Sequence, residues 1–184
     1  MHLLLVLALA VLFPAVHTLN GWLFDFATIS PHISLIYLPA FLRLFNLLVL
    51  GPAAGTLTTV LGGLALMYQF NEPLHMALIN ITCSCAGPLM ALFSFRLIFG
   101  RRVQLRSLKD LSFLTLMYCA FNSVLHHVAW HITKTTDTFD YTEAVWMFIG
   151  DFNGALLGAY LMKALIDRMA INGSRFLGSS QPKN

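Results

Sequence analysis

The chain has 184 residues, of which 58% are apolar and only 10% are Asp, Glu, Lys or Arg, against roughly 25% charged in an ordinary soluble domain. So few charges cannot coat a water-facing surface, which excludes a soluble globular domain, and a mean hydropathy of +0.74 excludes a disordered tail. The formal charge of +3 is too small and too scattered to suggest a nucleic-acid partner, and it reads instead as topology information.

A spanning helix needs roughly 20 apolar residues, so the chain has room for about six crossings. Six apolar runs stand out in order: Leu3–Leu19, Ile33–Leu50, Gly55–Phe70, Leu74–Phe99, Leu111–Ile132 and Ala144–Ile166. None alternates apolar with polar residues, which argues against a membrane β-barrel. The first run has the length of a signal-peptide core, but no Lys or Arg precedes it and its apolar character continues past Pro14, so it is read as a spanning helix. The expected fold is an all-α polytopic bundle of about six transmembrane helices over residues 1–168, with a polar cytoplasmic tail at 169–184. No internal repeat or low-complexity segment is present.

Lys and Arg placement sets the orientation. Arg96, Arg101, Arg102, Arg106 and Lys109 cluster around the connection after the fourth run, and Lys163, Arg168, Arg175 and Lys183 lie toward the C-terminal end. The connections near 20–32, 51–54 and 71–73 carry no Lys or Arg. Six crossings place both basic clusters inside only when both termini are cytoplasmic. That topology puts His17, His32, His75, His126, His127 and His131 toward the outer face, together with Asp25 and Glu72.

Two charges fall inside apolar runs, Arg43 in the second and Asp151 in the sixth. A charge at mid-bilayer costs at least ~2.5 kcal/mol on insertion scales and is usually paired or placed in a polar cavity. Similar depth predicts that Arg43 and Asp151 face each other, directly or through water, either as a fixed ion pair or as part of a ligand pocket with Asn46 and Asn153. Gly150, Gly154 and Gly158 repeat at four-residue spacing, as do Gly55, Thr59 and Gly63. Such stripes allow close backbone approach, and intramolecular packing is expected ahead of an oligomer interface.

His127 and His131 stand at i, i+4, a spacing that can chelate a transition metal. No adjacent Glu makes a hydrolase motif, and a third ligand would come from elsewhere, with His126 and His32 as candidates. The competing readings are interfacial histidines with wet tips, a metal or haem site, and a pH sensor. The cysteines Cys83, Cys85 and Cys119 lie in apolar runs and read as buried free thiols. Ser84 and Ser123 read as bonded to their own helix backbone. No phosphate loop or GxSxG is present, so no enzyme activity and no obligatory cofactor are expected.

Two stretches carry a family resemblance. ISLIYLPAFLRLFNLLVLGP (Ile33–Pro52) resembles the opening motif of the bacterial membrane-associated sensor domain of the first type, in which a proline and a small residue lead into a Leu-rich helix ending in Gly. EAVWMFIGDFNGALLG (Glu143–Gly158) resembles that family's late motif of Trp, Gly-Asp and Gly. By this resemblance Pro39, Trp146, Gly150, Asp151 and Gly154 match family positions. Arg43 departs from it, standing where an apolar residue is expected, and the family's usual cytoplasmic output module has no counterpart here. The resemblance implies a sensor-like subunit of the bacterial inner membrane, bathed in lipid, that acts through another membrane protein or a second copy of itself. The alternatives left open are the substrate-binding component of a vitamin or metal uptake transporter and a histidine-based redox subunit.

Overall fold

The computed structural model describes residues 2–30, 33–105, 107–133 and 140–178. Within them the protein is all-α apart from one small ribbon. Helix α1 covers His2–Leu23. A 3-10 turn at Asp25–Ala27 leads into strands β1 (Thr28–Ser30) and β2 (Ile33–Ser34). Then follow α2 (Pro39–Leu50), α3 (Pro52–Phe70), α4 (Leu74–Phe99), α5 (Leu108–Ile132) and α6 (Tyr141–Gly178). Four of these are long and apolar enough to cross a membrane: Leu3–Leu23, Leu74–Phe99, Leu108–Ile132 and Tyr141–Ala164.

The largest departure from expectation concerns the run Ile33–Leu50, which is not one helix. Ile33 and Ser34 pair antiparallel with Thr28–Ser30, the chain stays non-helical to Leu38, and α2 then has only 12 residues. At 1.5 Å per residue that is about 18 Å, well short of a ~30 Å hydrocarbon core. Pro39 explains the boundary: it sits at the helix start, where its fixed φ and missing N–H are tolerated, and the aromatic and β-branched residues before it suit extended backbone. At the other end α6 continues to Gly178, past the expected start of the tail at 169; residues 179–184 lie outside the described residues.

Gly51 joins α2 to α3 with φ +82°, a left-handed value that favours glycine. The chain reverses there into a tight helical hairpin. A Cβ on Gly55 would come within 2.6 Å of the Leu47 Cα, so the hairpin closes backbone against backbone.

The helices form a ring. α3 packs on α4, α4 on α5, α5 on α6, and α2 touches both α6 and α3, while α1 lies on α3. The core gathers at one end of the ring, where Ala40, Leu44, Leu47, Ala91, Leu92, Phe95, Leu114, Tyr118 and Cys119 are buried together. The α4–α5 connection closes that end. Ser107 caps α5 by accepting from the Asp110 N–H, and Asp110 accepts from Arg101 (Nη2 to Oδ1, 2.8 Å) and from the Gln104 N–H at 3.0 Å. Arg101 also stacks over Phe95 and Phe99, 5.7 and 6.0 Å from the ring centres. The hydrogen bond to Asp110 raises the Arg101 guanidinium above its already high pKa, so it stays charged.

Candidate functional site

The opposite end of the ring is not filled. A cavity of about 540 Å³ opens among the α1 end, the β ribbon, the α3–α4 connection and the α5 end. Its wall runs from Asn71–Pro73 at the mouth to Ser84 in α4; the 11 residues from Leu74 to Ser84 in α4 correspond to about 15 Å along the helix axis.

Non-helical backbone builds one side of it. The segment from Ser34 to Leu38 lies against α6, with the Tyr37 N–H donating to the Gly150 carbonyl at 3.0 Å. The Leu38 N–H donates to the Asn20 side chain at 2.8 Å, and Asn153 donates to the Leu35 carbonyl at 2.9 Å. These bonds replace those that a helix would have supplied. Backbone outside a helix or sheet needs such partners when it is buried, and protein groups supply them here. The glycine stripe of α6 makes the approach feasible. A Cβ on Gly150 would collide with the Ser34 carbonyl oxygen, one on Gly154 with the Tyr37 carbonyl oxygen, and one on Gly158 with the Phe41 side chain. A Cβ on Gly63 would collide with Ile81. Both stripes therefore serve packing within the chain.

Arg43 and Asp151 both line the cavity and are both buried. They do not form the expected direct ion pair: among the described residues the ion pair is Arg101–Asp110. The Arg43 guanidinium donates to the Tyr37 hydroxyl at 3.3 Å and lies over the Phe13 and Tyr37 rings, 5.6 and 5.2 Å from their centres, a cation–π setting. Its Nε has no hydrogen-bond partner. The Asp151 carboxylate accepts instead from the Asn122 side-chain N–H of α5, at 2.6 Å.

The other two expected pocket residues lie elsewhere. Asn153 is exposed and ties down the extended segment. Asn46 is fully buried beside the α2–α3 turn, with neither amide atom bonded. Their places are taken by groups from other elements: His17, whose Nδ1 lies 3.2 Å from the Tyr37 hydroxyl, Asn80, Ser84 and His126. Asn80 donates to Glu72 at 2.8 Å and accepts from the Trp130 indole N–H at 2.9 Å, which fixes the mouth.

The histidines do not converge. His126 is buried, faces the cavity and bonds its own helix at the Asn122 carbonyl, 2.8 Å away. His127 is buried on another face of α5 and His131 is exposed, so of the three only His131 has the wet environment expected of an interfacial residue. His32 lies outside the described residues. Among the described residues no three His, Cys, Asp or Glu side chains are grouped to hold a metal. The cysteines are free, with Cys83 and Cys119 buried and Cys85 partly so. Ser123 bonds not its own helix but the Ala144 carbonyl of α6.

No family model, curated protein or solved structure matches the chain. The resemblance to the sensor domain therefore rests on its two motifs. The fold packs these against each other, since Ser34–Leu38 belongs to the first and Gly150–Gly154 to the second.

Proposed function

We propose that the chain is a sensor-like multi-pass subunit of the bacterial cytoplasmic membrane that binds a small polar ligand in this cavity and acts through a partner membrane protein or a second copy. In this reading six segments cross the bilayer. The second crossing is half extended chain and half α2, α3 is the third, and both termini are cytoplasmic. The basic α4–α5 connection then faces the inner leaflet, where anionic lipid adds about 1 kcal/mol per Lys or Arg, and the cavity opens outward.

One observation carries the proposal: a buried arginine held by aromatic rings and a hydroxyl, without a carboxylate on it, at the wall of an open cavity. A charge so placed is costly, and a ligand that engages it would repay the cost. The test is thermal stabilisation of the protein in lipid nanodiscs by a library of organic acids, amino acids, sugars and nucleosides. At least one class should raise the melting temperature in wild type and not in Arg43→Met. Topology is tested on a background lacking Cys83, Cys85 and Cys119: an impermeant thiol reagent applied to intact cells should label Tyr141→Cys and spare Leu105→Cys.

A further inference from the structure

We propose that the cavity takes a zwitterion of the amino-acid class, with its carboxylate on the Arg43 guanidinium and its ammonium on the Asp151 carboxylate. This rests on the cavity being a ligand site, as proposed above, and goes beyond it by fixing the ligand's charge pattern.

The first observation is separation. Arg43 and Asp151 are 7% and 2% exposed and line the same cavity, yet each is held by a neutral neighbour, Tyr37 in one case and Asn122 in the other. A pair selected only to cancel two buried charges would be in direct contact, because the cost of desolvation is recovered only at good geometry. These two charges are instead presented to one void.

The second observation is charge balance. One cation and one anion make the deep wall neutral, and the carboxylate nearer the mouth, Glu72, is engaged by Asn80. A simple anion would satisfy Arg43 and leave Asp151 facing like charge. A simple cation would do the reverse, and a sugar would leave both charges without a charged partner. A molecule carrying both signs meets both walls, and charge-assisted hydrogen bonds of this kind are the strong ones.

The third observation is the aromatic part of the wall. Phe13, Tyr37, Phe70 and Trp130 line the cavity, and this aromatic surface suits an apolar side chain. The volume of about 540 Å³ falls within the ~300–1,000 Å³ of small-molecule sites and admits an amino acid with a large side chain.

The experiment uses the full chain in nanodiscs with the twenty L-amino acids as probes, read by thermal shift and by equilibrium binding of the strongest. That amino acid is then compared with its decarboxylated amine and its deaminated acid. Both analogues should bind roughly tenfold more weakly or worse, since each loses one charge-assisted contact. Arg43→Met and Asp151→Asn should each weaken the amino acid by a similar factor. Asp151→Asn is isosteric, so it carries the test if Arg43→Met is not monodisperse. A deaminated acid that binds as tightly as the amino acid overturns the proposal, as does wild-type affinity in Asp151→Asn. Stabilisation by sugars, nucleosides or simple acids with none by amino acids overturns the zwitterion and leaves the cavity a ligand site. Silence across the whole library overturns both.

Discussion

The two ends of the helix ring are built on opposite principles. At the basic end Phe95, Leu114, Tyr118 and Cys119 are fully buried, and Arg101 and Asp110 clamp the connection that covers them. At the other end the same helices hold a cavity whose wall includes Arg43, Asp151, Asn80 and His126. In lipid the apolar flank of a helix gains little from burial, so association rests on packing and hydrogen bonds. The contrast teaches that one half of the ring is closed by apolar packing and a clamp while the other half leaves polar groups around open space.

The largest effect is expected where the cavity wall meets α6. Gly154→Ala forces a Cβ onto the Tyr37 carbonyl and Gly150→Ala onto that of Ser34. In neither case is there a side chain that can turn aside. Both variants should fail to give a monodisperse peak on extraction, whereas Gly21→Ala, with nothing within 4 Å, should behave as wild type.

Next comes the packed half. Leu114→Ala removes a fully buried side chain and should cost about 2–5 kcal/mol, read by steric trapping or denaturant titration in bicelles. Leu66→Ala, at the cavity wall, should cost at most about 1 kcal/mol, because the neighbouring space is already open. Equal losses would mean that the two halves share stability evenly.

Asn46 gives a change of opposite sign. It is a polar side chain in the dry half with both amide atoms unbonded, so Asn46→Leu should stabilise by about 1 kcal/mol. A loss instead would assign Asn46 a partner such as bound water.

The smallest effect belongs to the clamp. Arg101 is half exposed, so Arg101→Ala should lower the melting temperature slightly, and the difference should shrink as salt rises. Because Asp110 raises the Arg101 pKa and Arg101 lowers that of Asp110, this contribution is fully present from above the free carboxylate range up to the free guanidinium range. It is lost as strong acid protonates Asp110 and again as pH climbs past the guanidinium range, so the wild-type advantage should be flat from neutral to moderately alkaline pH and shrink in strong acid.

Much of this contrast was legible in the sequence. The four long helices follow from their apolar runs, and the similar depth of Arg43 and Asp151 is the signal that brings them to one wall, although the direct pairing it suggests is absent. The extended stretch before α2 was not legible, because ISLIYL is as apolar as a helix and periodicity cannot separate the two over so few residues. Pro39 is the available signal, because proline suits the first turn of a helix and not its interior. The pairing of Asp151 with Asn122 was hidden for a different reason. An isolated amide in an apolar helix satisfies many roles, and only the packing of α5 on α6 selects this one. The same holds for His17 and Asn80, whose partners lie 20 and 50 residues away.

The seam between α6 and the extended segment is made of main chain on both sides: Gly150 and Gly154 meet the carbonyl groups of Ser34 and Tyr37. Its shape is therefore nearly independent of the side chains that Leu35 and Ile36 carry. In a saturation library selected for folded protein, positions 150 and 154 should accept glycine alone, while 35 and 36 should tolerate many apolar residues. Mutational freedom and structural importance would then part company along one short contact, with the strictest positions being those that have no side chain at all.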